Sequence, residues 1–378
     1  MYYLFPFILG VIFVSINGLT QLAFAQSQGF KLKPTGIAFV VGAFLSLTVG
    51  SVTPLSGQSA MIALAGKNSE RSSRVASLLI AAAAMTLLGV FGVVTTVIEF
   101  AGPAVMLGMM GGVGIILAGV GYDFIADKEK GDFKVGIISL ISALLIFGFF
   151  RDNPNRLVYT VAGSVIISTL FYLFVQNKRV NLITPEGQTE GGNLFSKSYW
   201  QEDDFKIIKP KFNFNSIMSA LAIICLSIGV TASFGNVNAS IAGVYQNMNH
   251  LTFITGFVDF ISFLFGGMPL APIISGTAAA PWPVWGAFGV MLVLGILLLF
   301  GLVNKICKYI PVQSIAGFLV VIGFFTTFLP NATNAFGTGD TVEASFALGV
   351  TVITGNPFLG MVFGILIRFV SIASFFGF

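Results

Sequence analysis

Two short polar clusters follow prolines that interrupt apolar runs: Thr53-Pro54-Leu55-Ser56-Gly57-Gln58-Ser59, and Met268-Pro269-Leu270-Ala271-Pro272 leading into Ser275-Gly276-Thr277. Proline removes a backbone donor and holds the residue before it in extended backbone, so each copy should break a helix and restart it as a half-helix. The first amides of a half-helix carry the positive end of its dipole and offer unpaired N–H groups, a cradle for carbonyl oxygens or an anion. Gly57, Gln58 and Ser59 supply those amides in the first copy, and Ile274, Ser275 and Gly276 in the second. The side chains of Gln58, Ser59, Ser275 and Thr277 add hydrogen-bonding groups at the same tips. Serine and threonine can also bond back to their own helix. Gln58 fits that bland reading less well, because an amide at mid-membrane needs partners it does not carry itself.

Two further polar clusters lie at corresponding points of the two halves: Ser15, Asn17, Thr20 and Gln21, then Thr231, Ser233, Asn236, Asn238 and Ser240. They are uncharged and rich in amides, which read the donor and acceptor edges of a flat heterocycle well. Polar residues also act as glue between packed membrane helices. The candidate binding set is therefore Asn17, Gln21, Gln58, Ser59, Ser233, Asn236, Ser275, Gly276 and Thr277. Asp259 is the acid set deepest in an apolar run, a proton-coupling candidate whose alternative is a paired structural acid. His250 is a lone histidine, and Cys225 and Cys307 have no ligand partners at metal spacing. No Ser/His/Asp group, paired acids or phosphate loop is present, so neither an enzyme nor a cofactor or metal is expected.

These residues must be positioned by a membrane scaffold. With 56% hydrophobic and 9% charged residues in 378, and a mean hydropathy of +0.93, the chain cannot make a water-facing surface. The apolar runs are continuous and lack strand-like alternation, which points to helices and excludes a barrel. The net charge of +4 is dispersed singly or in pairs over short loops, so no nucleic-acid partner is implied. Ala23-Phe24-Ala25 imitates a signal-peptidase site, but the stretch before it lacks a basic region and contains Asn17, Thr20 and Gln21, and it reads as a first membrane helix.

Apolar runs fall near 3–25, 35–50, 57–66, 73–99, 101–125, 133–150 and 156–176, and again near 213–243, 248–265, 273–281, 283–304, 311–329, 341–354 and 356–376. The fold class expected is an all-α polytopic membrane protein of fourteen transmembrane segments, with segments 3 and 10 broken by short extended strands. Residues 1–176 form a first seven-helix repeat, 177–212 a polar linker, and 213–378 a second repeat. Pro103, Gly108 and Gly114 in segment 5 match Pro311, Gly317 and Gly323 in segment 12. An odd number of crossings inverts the second copy, giving the arrangement that places a transporter's site at paired broken helices.

The motifs Ile310-Pro311-Val312-Gln313-Ser314-Ile315-Ala316-Gly317, Gly256-Phe257 through Phe265-Gly266-Gly267-Met268-Pro269, and Gly102-Pro103-Ala104-Val105-Met106-Leu107-Gly108 resemble those of the nucleobase/ascorbate transporter family, the uracil and xanthine permeases. The resemblance implies a core domain of segments 1–4 and 8–11 and a gate domain of segments 5–7 and 12–14. It also implies substrate bound between them, alternating access, residence in the cell membrane and compatibility with a homodimer. Two acids that the family uses for substrate and proton align with Ala232 and Ser275. The family keeps its termini in the cytoplasm. Here Lys and Arg crowd the loops on one face, leaving Arg151, Arg156 and Arg368 on the other, which by the positive-inside rule turns both termini outward. The function expected is a secondary active permease for a purine or pyrimidine base. The alternatives are an anion carrier of sulfate-transporter-like architecture and a non-transporting membrane receptor.

Overall fold

A computed structural model describes residues 28–66, 70–126, 133–153, 156–175, 205–303, 310–311 and 313–372, together with 11, 14, 15, 18, 21, 22 and 24–26. The described residues between 11 and 26 are helical. Then follow α1 (Leu32–Val49), β1 (Leu55–Gly57), α2 (Ser59–Gly66), α3 (Arg71–Val90), α4 (Val94–Ala101), α5 (Pro103–Ala126), α6 (Phe133–Phe149) and α7 (Arg156–Leu170), which runs on as a π turn (Phe171–Val175). The second half contains α8 (Phe214–Ala242), α9 (Met248–Leu264), β2 (Leu270–Pro272), a 3-10 turn (Gly276–Ala279), α10 (Pro283–Leu299) and α11 (Gln313–Val321). A π-helical stretch (Ile322–Phe328) leads to α12 (Leu329–Gly337), α13 (Thr341–Thr354) and α14 (Pro357–Ile372).

The protein is a mostly helical, multi-pass membrane protein. Among the described residues five helices are long and apolar enough to cross a bilayer: α1, α3, α5, α8 and the continuous run Gln313–Gly337. Packing pairs α9 with α3, α10 with α1, and α8 with α3; separately, α5 packs on α13, α11 and the π stretch, α6 on α7 and α11, and α13 on α14.

Glycine decides where helices touch. A Cβ on Gly114 would lie 2.6 Å from the carbonyl oxygen of Gly323, and one on Gly323 would lie 2.6 Å from that of Gly114. The two glycines that match between the sequence halves therefore meet at the crossing of α5 with the π stretch. Gly108 abuts the backbone of Ala344, Gly317 that of Ser139, and Gly256 that of Thr86. These contacts are backbone against backbone, which only a missing side chain permits.

Three expected boundaries change. The run 73–99 is divided at Gly92, whose φ of 71° ends α3 and sets off α4 as a separate short helix. The helix entering at residue 311 continues past 329 to Gly337, with Pro330 tolerated in the first turn of α12. Residues 273–281, expected to form a half-helix, form only one 3-10 turn before Pro281, Trp282 and Pro283.

Candidate functional site at the paired breaks

The two breaks pair with each other. β1 and β2 run antiparallel with Leu55 opposite Pro272, Ser56 opposite Ala271 and Gly57 opposite Leu270, and Ile273 N–H donates to Pro54 O at 3.1 Å. Each strand therefore answers part of the backbone that the other exposes. In hydrocarbon, an unanswered peptide group costs several kcal/mol, so a lone break would be unstable there.

Side chains from the surrounding elements answer the rest. Val52 N–H donates to Gln246 Oε1 at 3.0 Å, Met268 N–H to Thr35 Oγ1 at 3.0 Å, and Leu270 N–H to Asp259 Oδ1 at 2.7 Å. Ser262 Oγ donates to Met268 O at 2.9 Å. Asn238, fully buried on α8, donates from Nδ2 to Ile273 O at 2.7 Å and accepts from Ser275 N–H at 2.9 Å. One amide thus holds both sides of the turn between β2 and the 3-10 turn. Sequence reasoning missed Thr35, Gln246 and Ser262 as parts of the site, and named Asn238 without selecting it. Their signal is a polar residue inside an apolar helix, which alone does not distinguish a clamp from helix glue.

At the first tip, half-buried Gln58 accepts at Oε1 from Ala60 N–H at 2.6 Å and, longer, from Met61 N–H at 3.4 Å. Its acceptor end caps its own half-helix, and this fixes which way the amide faces: the Nε2 donors have no partner among the described residues. Ser59 Oγ donates to Gln21 Oε1, tying the tip to the N-terminal helix. At the second tip Ser275 caps the 3-10 turn, accepting from Thr277 N–H at 3.1 Å, and the Ser275 and Thr277 hydroxyls share a hydrogen bond of 2.6 Å. Gly276 lies within that turn. The hydroxyls of Thr53 and Ser56, buried beside and in β1, have no partner among the described residues.

The structure brings Gln21, Gln58 and Ser59 together at one tip, and Ser275, Gly276 and Thr277 at the other. Ser233 is half-buried on α8, and Asn236 is exposed on the same helix, off the face that carries Asn238. Asn17 lies outside the described residues. Asp259 is buried and bonded to the backbone of β2. The donor inventory is amides, hydroxyls and helix-end N–H groups, and among the described residues no acid or base side chain stands at either tip. Such a set stabilises negative charge without neutralising it outright.

No protein-family model and no curated protein matches this sequence. Solved structures do match. The transmembrane domain of a cyanobacterium bicarbonate transporter, BicA, superposes with a TM-score of 0.62 at 16% identity, covering 94% of this chain and 97% of that one. The murine Solute Carrier 26 family member A9 anion transporter in the inward-facing state superposes with a TM-score of 0.67 at 13% identity, covering 98% of this chain and 68% of that one. At these identities the likeness is one of fold. It corrects the nucleobase/ascorbate assignment, since the matched structures are anion transporters. The physical reason is visible in the motifs that suggested it: Gly108, Gly256 and Gly317 seat helix against helix, so they report the packing and carry no information on cargo.

Proposed function

We propose that this chain is a secondary carrier of small anions, which binds its cargo between the two tips and moves it by alternating access. The observation that carries the reading is the donor set itself. Gln58 presents its NH₂ group because its oxygen is committed to Ala60, and the other tip carries the uncharged hydroxyls of Ser275 and Thr277. The fold likeness to anion transporters supports the same cargo class. Gln58, Ser59, Ser275, Gly276 and Thr277 form the anion cradle, Gln21 and Asn238 position it, and Asp259 holds β2 in place from behind.

The scaffold for this cycle is fourteen spans arranged as a seven-plus-seven inverted repeat. Equivalent elements meeting each other support it: β1 with β2, and Gly114 with Gly323. We assign the helices around the tips, α1 to α3 and α8 to α10, to a core, and α5 to α7 with α11 to α14 to a gate that rocks against it. The packing pairs fall largely within these two sets.

Thermal-shift measurements on the purified protein test the cargo. Bicarbonate, chloride, sulfate and a dicarboxylate are compared with uracil and xanthine. At least one anion is expected to raise the melting temperature saturably, because a ligand that binds only the folded state stabilises it by mass action. Stabilisation by the bases and by none of the anions would overturn the proposal.

A further inference from the structure

The turns at 50–54, 91–93, 243–247 and 280–282 contain no charged residue. Three of them are knit together where Val52 N–H meets Gln246 and Val94 N–H meets Asn249. The far end of α8 is different. This helix has 29 residues, about 43 Å at 1.5 Å each. Its beginning is preceded by Lys206-Ile207-Ile208-Lys209-Pro210-Lys211-Phe212-Asn213.

This strip is fixed in place. Lys211 N–H donates to Ser72 O at 3.1 Å, Lys211 Nζ pairs with Glu70 at 3.0 Å, and Asn213 Nδ2 donates to Ser73 Oγ at 3.0 Å while capping α8. Ile208 turns inward, 2.8 Å from the position a Cβ on Gly266 would take. Its neighbours Lys206, Ile207 and Lys209 are exposed, as is Arg71. Among the described residues these three cations have no ion-pair partner, although Glu202, Asp203 and Asp204 lie just upstream, outside the described residues. Ile207, Phe212 and Phe214 on the same strip are 63%, 64% and 75% exposed.

Three large apolar side chains held out among three exposed cations, at the mouth of a membrane-spanning helix, suit neither water nor hydrocarbon alone. They suit the boundary between acyl chains and headgroups, where apolar side chains insert and cations meet phosphate. We propose that residues 206–214, with Arg71, form a docking site for anionic phospholipid headgroups of the adjoining leaflet. The positive-inside rule makes that leaflet the cytoplasmic one. The site needs only the membrane setting and is independent of the cargo assigned above.

Native mass spectrometry of the full chain, released from bilayers of equal phosphatidylglycerol and phosphatidylcholine content, tests it. The wild type is expected to retain phosphatidylglycerol preferentially. The triple variant Arg71→Gln/Lys206→Gln/Lys209→Gln should lose that preference by at least about tenfold, each basic residue near an anionic surface being worth roughly fivefold. Arg151→Gln, which removes a cation elsewhere, should leave it unchanged. In the wild type alone, added salt should erode the preference, a readout that does not depend on the triple variant folding. Three results would overturn the proposal: no preference in the wild type, an intact preference in the triple variant, or displacement of the lipid by an equal concentration of inorganic phosphate.

Discussion

Asn238→Ala is expected to lower uptake at limiting substrate by about a hundredfold in proteoliposomes while the protein still purifies as a folded species. The truncation removes two buried hydrogen bonds at once and leaves Ile273 O and Ser275 N–H unanswered. Each orphaned group costs about 1–3 kcal/mol, and the second tip must shift to recover what it can. A displacement of about an ångström at a positioned site is enough to cost two orders of magnitude. Hydrogen exchange over residues 268–280 should accelerate in the same variant. Uptake near the wild-type rate would show that Asn238 does not hold the tip.

The second large effect separates charge from shape at Ser275. Ser275→Glu and Ser275→Gln add side chains of nearly equal size to a position that is fully enclosed and bonded to Asn238 and Thr277. Only the first adds a negative charge, and two like charges 4 Å apart near a protein surface repel by about 4 kcal/mol. The Glu variant should therefore lose anion uptake by more than about a hundredfold relative to the Gln variant, whose NH₂ group is still a donor. The comparison is made between the two variants, so the shared cost of enlarging the site cancels. Equal rates for the two would mean that no anion comes near this residue.

The breaks were legible from composition and proline alone. Thr53-Pro54 and Met268-Pro269 each leave an extended piece, and the ends of α8 follow from Asn213 before it and Gly243 after it. What the sequence could not supply was phase and partner. Asn236 and Asn238 are two residues apart, roughly 200° around a helix, and nothing local says which of them faces the site. Gln58 reads as an amide in need of partners, and its oxygen finds them in its own next turn at Ala60 and Met61 while its NH₂ group does not. The second half-helix stops at one 3-10 turn although Ser275 caps it, because Pro281 and Pro283 follow at once and prevent propagation. The cargo class was not legible in the glycine and proline motifs, since those residues are selected by the approach of one backbone to another.

The most direct measurement of the central claim is counterflow in proteoliposomes. Vesicles containing the purified chain are loaded with an unlabelled small anion, and entry of radiolabelled bicarbonate, sulfate or chloride is followed alongside radiolabelled uracil and xanthine. Saturable entry of at least one anion, indifferent to excess uracil and xanthine and lost in Ser275→Glu, is the predicted result. Entry of a base with no entry of any anion would contradict the account.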